Sequence, residues 1–501
     1  MYNGNLKLHS NKDIVEEFNN YFLSIGKNIA ESIHCTSHSF SVFLTLTSPS
    51  NSLFLKPASV HEIVKITSSL KLSKSVGPDC ISSSVVKQCI SLFADPLCYI
   101  FNMSLMSGLV PKKLKIAKVV PVYKKNNNQD MSNYRPIAVL PIFSKILEKI
   151  IYSRLYDFLQ RNNILIDEQF GFRKQYSTSL AIFNLSHCVQ QEIAKGNYSL
   201  GLFMDLSKAF DTIDHHILLK KLYHYGVRGT ALDWFSSYLN ERQQYVVVDG
   251  VESTTKSINH GVPQGSVLGP LLFLVYINDI VNSSKLLRFS LFADDTFVLI
   301  SHKNLQTLFS SASREIVNVS LWFKANKLAL NTSKTNFMLF RSRKKRVPQS
   351  LPLLSIDNIP ISQLHDIKFL GVMINEHLDW SSHITRISKC ISRSVGILFK
   401  LRYILPSNVL KLIYFALIHS HLNYCNHIWG NTYATHIDRL HVLQKKSIRN
   451  ITKSSMFSHT IPLFKSLNIL PLQKMVILNS LIFMFFIHKK ILPEKILQYF
   501  Y

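Results

Sequence analysis

At 501 residues the chain is longer than one hydrophobic core usually serves, so two or three packed subdomains are expected. A hydrophobic content of 47% supports such cores, and Lys and Arg outnumber Asp and Glu 57 to 30, a net charge of +27 spread along the chain. This excess points to a polyanionic partner; a merely soluble basic protein and membrane-surface binding are the alternatives.

Seven cysteines, at 35, 80, 89, 98, 188, 390 and 425, form no CxxC pair and read as reduced thiols of an intracellular protein. The opening MYNGNLKLHSNKD has no apolar signal-peptide core. The apolar run from Met475 to Ile487 is shorter than the roughly 20 residues of a membrane span and contains Asn479 and Ser480, so it reads as a buried helix.

In chain order, Ser10, Asn11 and Asp13 are capping candidates for an amphipathic helix over 10–33, with Ile14, Phe18, Tyr21, Phe22, Ile25 and Ile29 as its core-facing stripe. The Ser/Thr-rich stretch from Cys35 to Ser52 reads as a linker. Helix resumes at Ala58–Leu70, and Gly77-Pro78 then turns the chain. From Ala117, AKVVPVYKKNNNQDMSNYRPIAVL reads as two strands joined by a polar loop carrying Lys124, Lys125 and Arg135. Such cations can close over a triphosphate or simply be solvated. Phe143 to Arg161 is an amphipathic helix with a basic wet face. Next, QFGFRKQYST interleaves Phe170, Phe172 and Tyr176 with Arg173 and Lys174, as suits stacking on bases or an ordinary half-buried loop.

The run YSLGLFM from Tyr198 to Met204 reads as a strand ending at Asp205, with Gly201, Phe203 and Asp205 on one face. Helix follows in LSKAFDTIDHHILLKKLYHYG, with Phe210 shortly after the acid. The loop GVPQGSVLGP at 261–270 has three glycines and two prolines, which allow close approach of backbone to a ligand, and an apolar helix comes after it. RFSLFADDTFVLIS, from Arg288 to Ser301, reads as a hairpin with Asp294 and Asp295 at its bend. Beyond it come a helix and strand flanking Lys334, the basic run RSRKKR at 341–346, and a strand pair in 367–383. The remainder is helix-like. His419, His421, Cys425 and His427 fit no standard zinc pattern and lie on an apolar helix.

Aspartates are common turn residues, so the Asp294–Asp295 bend alone specifies little. If the Tyr198–Met204 strand neighbours the hairpin, however, three carboxylates converge. Like charges about 4 Å apart repel by roughly 4 kcal/mol at an effective dielectric near 20, so the cluster needs a cation. No Lys or Arg lies between Ala293 and Ile300 or between Tyr198 and Leu206, and hard oxygen donors suit Mg²⁺. Two such ions about 3.5–4 Å apart activate a 3′ hydroxyl and stabilise a leaving pyrophosphate.

Taken in order, SNYRPIAVL, QFGFRKQYST, MDLSKAFDTIDH, GVPQGSVLGPLLFLVYINDI, LFADDTFV, NKLALNTSKT and FLGVMIN resemble the successive blocks of a non-LTR retrotransposon reverse transcriptase of the jockey-like branch, over about Ser73 to Asn375. The resemblance implies an α+β right-hand polymerase with fingers, an antiparallel-sheet palm and a helical thumb. Its boundaries are a helical N-terminal extension at 1–105, fingers and palm at 106–375, and a helical thumb and C-terminal region at 376–501. It implies Asp205, Asp294 and Asp295 as metal ligands for two Mg²⁺ ions, with Mn²⁺ as a substitute. Lys124 and Arg135 are implied for triphosphate binding and Phe210 for a steric gate against ribose. Gln264 is implied for contact with nucleotide and template, Lys334 for the pyrophosphate, and Leu370 and Gly371 for the primer end. The implied partners are an RNA template, a DNA primer or target and dNTPs, without a membrane. Nuclear location rests on the resemblance alone. An endonuclease domain, a CCHC knuckle and an RNase H acid cluster are not found, so a 5′-truncated copy is expected. A catalytically silent or domesticated nucleic-acid-binding relic is the alternative.

Overall fold

A computed structural model describes residues 1–3, 6–7, 10–33, 39–44, 48–73 and 75–501, and the side chains of residues 2–9 are not described. Cys35, Lys74 and parts of the stretch read as a linker lie outside the described residues. The fold is α+β and divides into two compact units, each built from three separated pieces of chain. One comprises Met1–Phe172, Asp205–Lys285 and Glu315–Asn331; the other comprises Arg173–Met204, Leu286–Arg314 and Thr332–Tyr501.

The first unit is built on a five-stranded sheet. Strand Ile116–Tyr123 pairs antiparallel with Tyr134–Val139, as the alternating sequence predicts, and parallel with Arg242–Val248. The latter also pairs with Val251–Glu252 and Lys256–Ile258. Ser10 caps the helix Asn11–Ser32 by accepting from the Asp13 N–H, leaving one fewer unpaired donor at that end. Val15, Phe18 and Phe22 pack on Ala117, Val119, Ala138 and Val246. The buried face, Val15, Phe18, Asn19, Phe22 and Gly26, is rotated from the expected stripe: Ile14, Ile25 and Ile29 are only half-buried. The rotation has a polar cause. Asn19 donates to Ser253 Oγ at 3.1 Å and the Thr254 carbonyl at 2.8 Å, and accepts from Gln244 at 3.1 Å.

Helix Ser83–Ser107 is, among the described residues, the one helix long and apolar enough by length and composition to cross a membrane, a feature the sequence reading overlooked. Here its stripe Val86, Ile90, Ala94, Leu97, Phe101 and Leu105 is buried, and Ser104 accepts from the buried Trp234 indole at 3.1 Å.

The second unit holds a sheet in the order Ser362–Gln363, Asn336–Phe340, Tyr198–Met204, Asp295–His302, Arg288–Phe292. Its central strand Tyr198–Met204 is buried from Ser199 onward, so it reads as an unbroken apolar run. Phe203, Phe297, Met338 and Phe340 share a core with the helices Thr178–Ala194 and Ser381–Leu401. Asp366–Phe369 and Val372–Asn375 form the expected strand pair, and everything later is helical.

Helix Leu472–His488 corrects the reading of Met475–Ile487 as buried. Only Leu472, Met475, Val476 and Ile487 are covered, and Leu481 is 63% exposed. Apolar residues all round this helix leave no face singled out in the sequence; its contacts with Asn426–Trp429 and Ala434–Ile451 decide which part is covered.

Candidate active site

Within the second unit, Arg288–Phe292 and Asp295–His302 form the predicted hairpin, with Asp295 opposite Phe292 and Thr296 opposite Leu291. Ala293 closes the bend in the left-handed region at φ +55°, between strands rich in β-branched and aromatic residues. Asp294 is half-buried and Asp295 exposed. The second strand also pairs with Tyr198–Met204, setting Met204 opposite Thr296, Phe203 opposite Phe297 and Gly201 opposite Leu299. A Cβ at Gly201 would stand 2.7 Å from the Phe340 ring and 2.8 Å from that of Phe297, so the aromatic layer requires glycine there. Asp205 follows directly on Met204, and Asp295 directly precedes Thr296.

No group of three or more His, Cys, Asp and Glu side chains forms a metal cage among the described residues. The paired carboxylates Asp294 and Asp295 of the hairpin bend are hard oxygen donors of the kind Mg²⁺ takes, one or two at a time, with water and substrate phosphates completing its shell. Burial pushes the Cys425 thiol up to about 12 and His427 down to about 4, so both are neutral at pH 7.

At Asp205 the chain enters the first unit. The Asp205 carbonyl accepts from the Asn331 N–H at 2.8 Å and Ser207 N–H donates to the Ala329 carbonyl at 2.9 Å. The turn that follows brings the Phe210 ring onto Phe273, centroids 4.8 Å apart and stacked, with Phe172 edge-on at 6.2 Å. Phe273 comes from helix Gly269–Ile277, buried at every position but Pro270.

The loop before that helix is fastened on three sides. Gly261 N–H donates to the Ile213 carbonyl at 2.8 Å and Val262 N–H to that of Phe210 at 2.9 Å, while the Gln264 carbonyl accepts from Ala138 N–H at 2.7 Å. Gly265 has φ +123°, and a Cβ there would meet the Ala138 carbonyl at 2.4 Å, so no other residue fits. Buried Glu148 accepts from the Val267 and Leu268 N–H groups at 2.6 and 3.2 Å; burial pushes its carboxyl upward, opposed by Arg242 and those N–H groups. The Gln264 amide nitrogen lies 2.8 and 2.9 Å from the two Asp211 oxygens. Burial pushes the Asp211 carboxyl up to about 6, with Gln264 and Lys208 opposing.

Asp211 and Glu148 escaped the sequence reading. Their signals were an acid directly after Phe210 in AFDTIDH, and an acid on the inward side of the apolar helix in KILEKII.

Among the expected cationic residues, Lys124 and Arg135 are exposed near the loop end of the first strand pair, with Arg135 opposite Val122 and Lys124 N–H bonded to the Asn133 carbonyl at 2.9 Å. Lys334 is exposed in the second unit just before strand Asn336–Phe340, its carbonyl accepting from Asn336 at 2.8 Å. Leu370 and Gly371 form the tight turn between the paired strands at φ +44° and +88°. Their carbonyls accept from Tyr424 Oη at 2.6 Å and Arg386 Nη1 at 2.9 Å, two partners sequence reasoning had not singled out. Part of the basic run is structural: Arg341 pairs with Glu376 at 3.2 Å, Arg343 pairs with Asp379, and Lys345 lies 3.5 Å over the Tyr198 ring.

Residues 122–374 match the model of the family described as reverse transcriptase (RNA-dependent DNA polymerase). The chain is 28% identical over 431 residues to the RNA-directed DNA polymerase from mobile element jockey of Drosophila melanogaster, covering 83% of this chain and 46% of the relative. It is also 28% identical over 435 residues to the probable RNA-directed DNA polymerase from transposon BS of the same fly, covering 83% and 47%. The chain thus spans about half the length of the curated relatives it matches. Among solved structures, apo telomerase from Candida tropicalis truncated from its C-terminal domain is similar with a TM-score of 0.37 at 13% identity, covering 59% of each chain.

Proposed function

This chain belongs to the reverse transcriptase (RNA-dependent DNA polymerase) family, and from that membership we propose that it is the RNA-directed DNA polymerase of a jockey-like non-LTR retrotransposon, extending a DNA primer with dNTPs on an RNA template. Fingers and palm occupy 106–375 in this reading, after a helical extension at 1–105; the thumb and C-terminal region follow at 376–501. Its site of action is the nucleus.

Asp205, Asp294 and Asp295 are the residues that hold the metals. Bound Mg²⁺, or Mn²⁺ in its place, supplies charge neutralisation at the attacking and leaving oxygens. Lys124 and Arg135 bind the triphosphate as exposed cations near the loop end of a β-ribbon. Phe210, wedged between Phe172 and Phe273, presents a ring that leaves no room for a ribose 2′ hydroxyl. Gln264 meets the incoming nucleotide and the template, Lys334 neutralises the pyrophosphate, and the Leu370–Gly371 turn holds the primer end.

The observation that carries the reading is the strand register, with Met204 opposite Thr296. It supports the premise that the strand closing at Asp205 and the ribbon opening at Asp295 are neighbours. Primer extension on an RNA template with Mg²⁺ tests it, comparing the wild type with Asp294→Asn. Extension by the wild type and a loss of roughly a thousandfold or more in the variant is expected, since the carboxylate acts on charge that develops in the transition state. Equal extension by both sinks the assignment. RNA binding without extension by either favours the silent relic.

A further inference from the structure

The side chain of Gln264 is committed before any substrate arrives. Its amide nitrogen is bonded to both oxygens of Asp211 at 2.8 and 2.9 Å. An ionised carboxylate only accepts, so it dictates which end of the amide faces it. The NH₂ group turns toward Asp211, and the carbonyl oxygen is the end left over.

Asp211 is itself held firmly. Its N–H donates to the Lys208 carbonyl at 2.8 Å. Two glycines crowd its backbone: a Cβ at Gly26 would meet the Asp211 carbonyl at 2.2 Å, and one at Gly261 would meet it at 2.8 Å. The residue before it is the stacked Phe210, whose carbonyl accepts from Val262 two positions ahead of Gln264. The gate ring and the glutamine are therefore coupled through one short, hydrogen-bonded turn.

We propose that Asp211 is a positioning residue that fixes the Gln264 amide, so that Gln264 offers its carbonyl oxygen as an acceptor to a hydroxyl of the bound nucleic acid or nucleotide. This rests on the polymerase reading above. Two hydroxyls have the required donor chemistry, the template ribose 2′ hydroxyl and the 3′ hydroxyl of the incoming sugar.

In Asp211→Asn, the introduced amide can pair with either end of Gln264, so the orientation is no longer imposed. Combining Asp211→Asn with Gln264→Glu restores it in reversed form: the introduced amide donates, and the introduced carboxylate keeps one oxygen free to accept. The measurements are dNTP affinity in a ternary complex with a chain-terminated primer–template, which needs no turnover, and KM and kcat in primer extension. Each uses RNA or DNA templates, with dNTP or dideoxy-NTP in the binding arm.

Asp211→Asn is expected to weaken dNTP binding and raise KM by roughly tenfold, the scale of a hydrogen bond to a charged group, with kcat within about twofold. The reversed pair is expected to recover to within about threefold of wild type. The loss disappears on DNA templates if the template ribose is the donor, and with dideoxy-NTP if the incoming sugar is. Wild-type values in Asp211→Asn, an equal loss in every arm, or no recovery in the reversed pair overturns the positioning role alone, leaving the polymerase reading intact. A wild-type chain that neither extends primers nor binds dNTP overturns both.

Discussion

Phe210 shows how surroundings hold one side chain in place. Alone, a half-exposed phenylalanine after a turn is unremarkable; stacked on Phe273 at 4.8 Å and buttressed by Phe172, it is a fixed wall. Truncation to alanine removes the wall without touching a carboxylate. Phe210→Ala is therefore expected to raise ribonucleotide incorporation relative to deoxynucleotide by roughly ten- to a hundredfold, the discrimination that one small group in a pocket supports. The check is the ratio of kcat/KM for matched rNTP and dNTP, and an unchanged ratio removes the gate from Phe210.

The loop Gly261–Gly269 is an element without regular structure that is nonetheless as constrained as a strand. Its backbone reaches strand Tyr134–Val139 through Ala138, the Phe210–Ile213 turn through Gly261 and Val262, and helix Ile142–Arg161 through Glu148. Glu148 supplies the side-chain part of this fastening. It is fully buried, receives two N–H groups at the entry to helix Gly269–Ile277, and offsets the charge of the buried Arg242. Glu148→Ala strands both the N–H groups and the guanidinium, at a cost of about 3 kcal/mol. A lower urea midpoint in equilibrium unfolding is the expected outcome. An unchanged midpoint would mean the loop is held by its other ties alone.

Across the whole molecule, charge is the dominant long-range property. A net +27 does not favour folding, but it concentrates a polyanion at the surface and speeds encounter. The cations include a row on helix Ser381–Leu401, where half-buried Arg386 and exposed Lys389 and Arg393 line an open cavity of about 520 Å³ with Ser382 and Thr385. Binding of an RNA–DNA primer–template is expected to weaken by roughly a thousandfold between 50 and 200 mM salt, the behaviour of six or more phosphate contacts. Fluorescence anisotropy across that range provides the measurement, and a flat profile would show that the basic surface is not the binding face. Chain topology adds a kinetic consequence: among the described residues, Tyr198–Met204 pairs with strands about a hundred residues or more ahead, the arrangement that makes sheet formation slow.

What the sequence determined by itself were features that depend on neighbouring residues. The hairpin around Asp294 and Asp295, the strand closing at Asp205, the Ser10 cap, the first strand pair and the helical C-terminal region all follow from periodicity, turn chemistry and capping over a few residues. The charge and motif order likewise need no coordinates. Tertiary structure alone decided which faces were buried and which polar groups met. Gln264 and Asp211 are 53 positions apart, and Glu148 and Val267 are 119 apart. Nothing local marks such pairs, because a hydrogen bond across folded elements depends on how those elements pack. For the same reason the rotated face of Asn11–Ser32 and the exposed side of Leu472–His488 were illegible: what covers a helix is set by its neighbours, and its own periodicity only proposes the candidates.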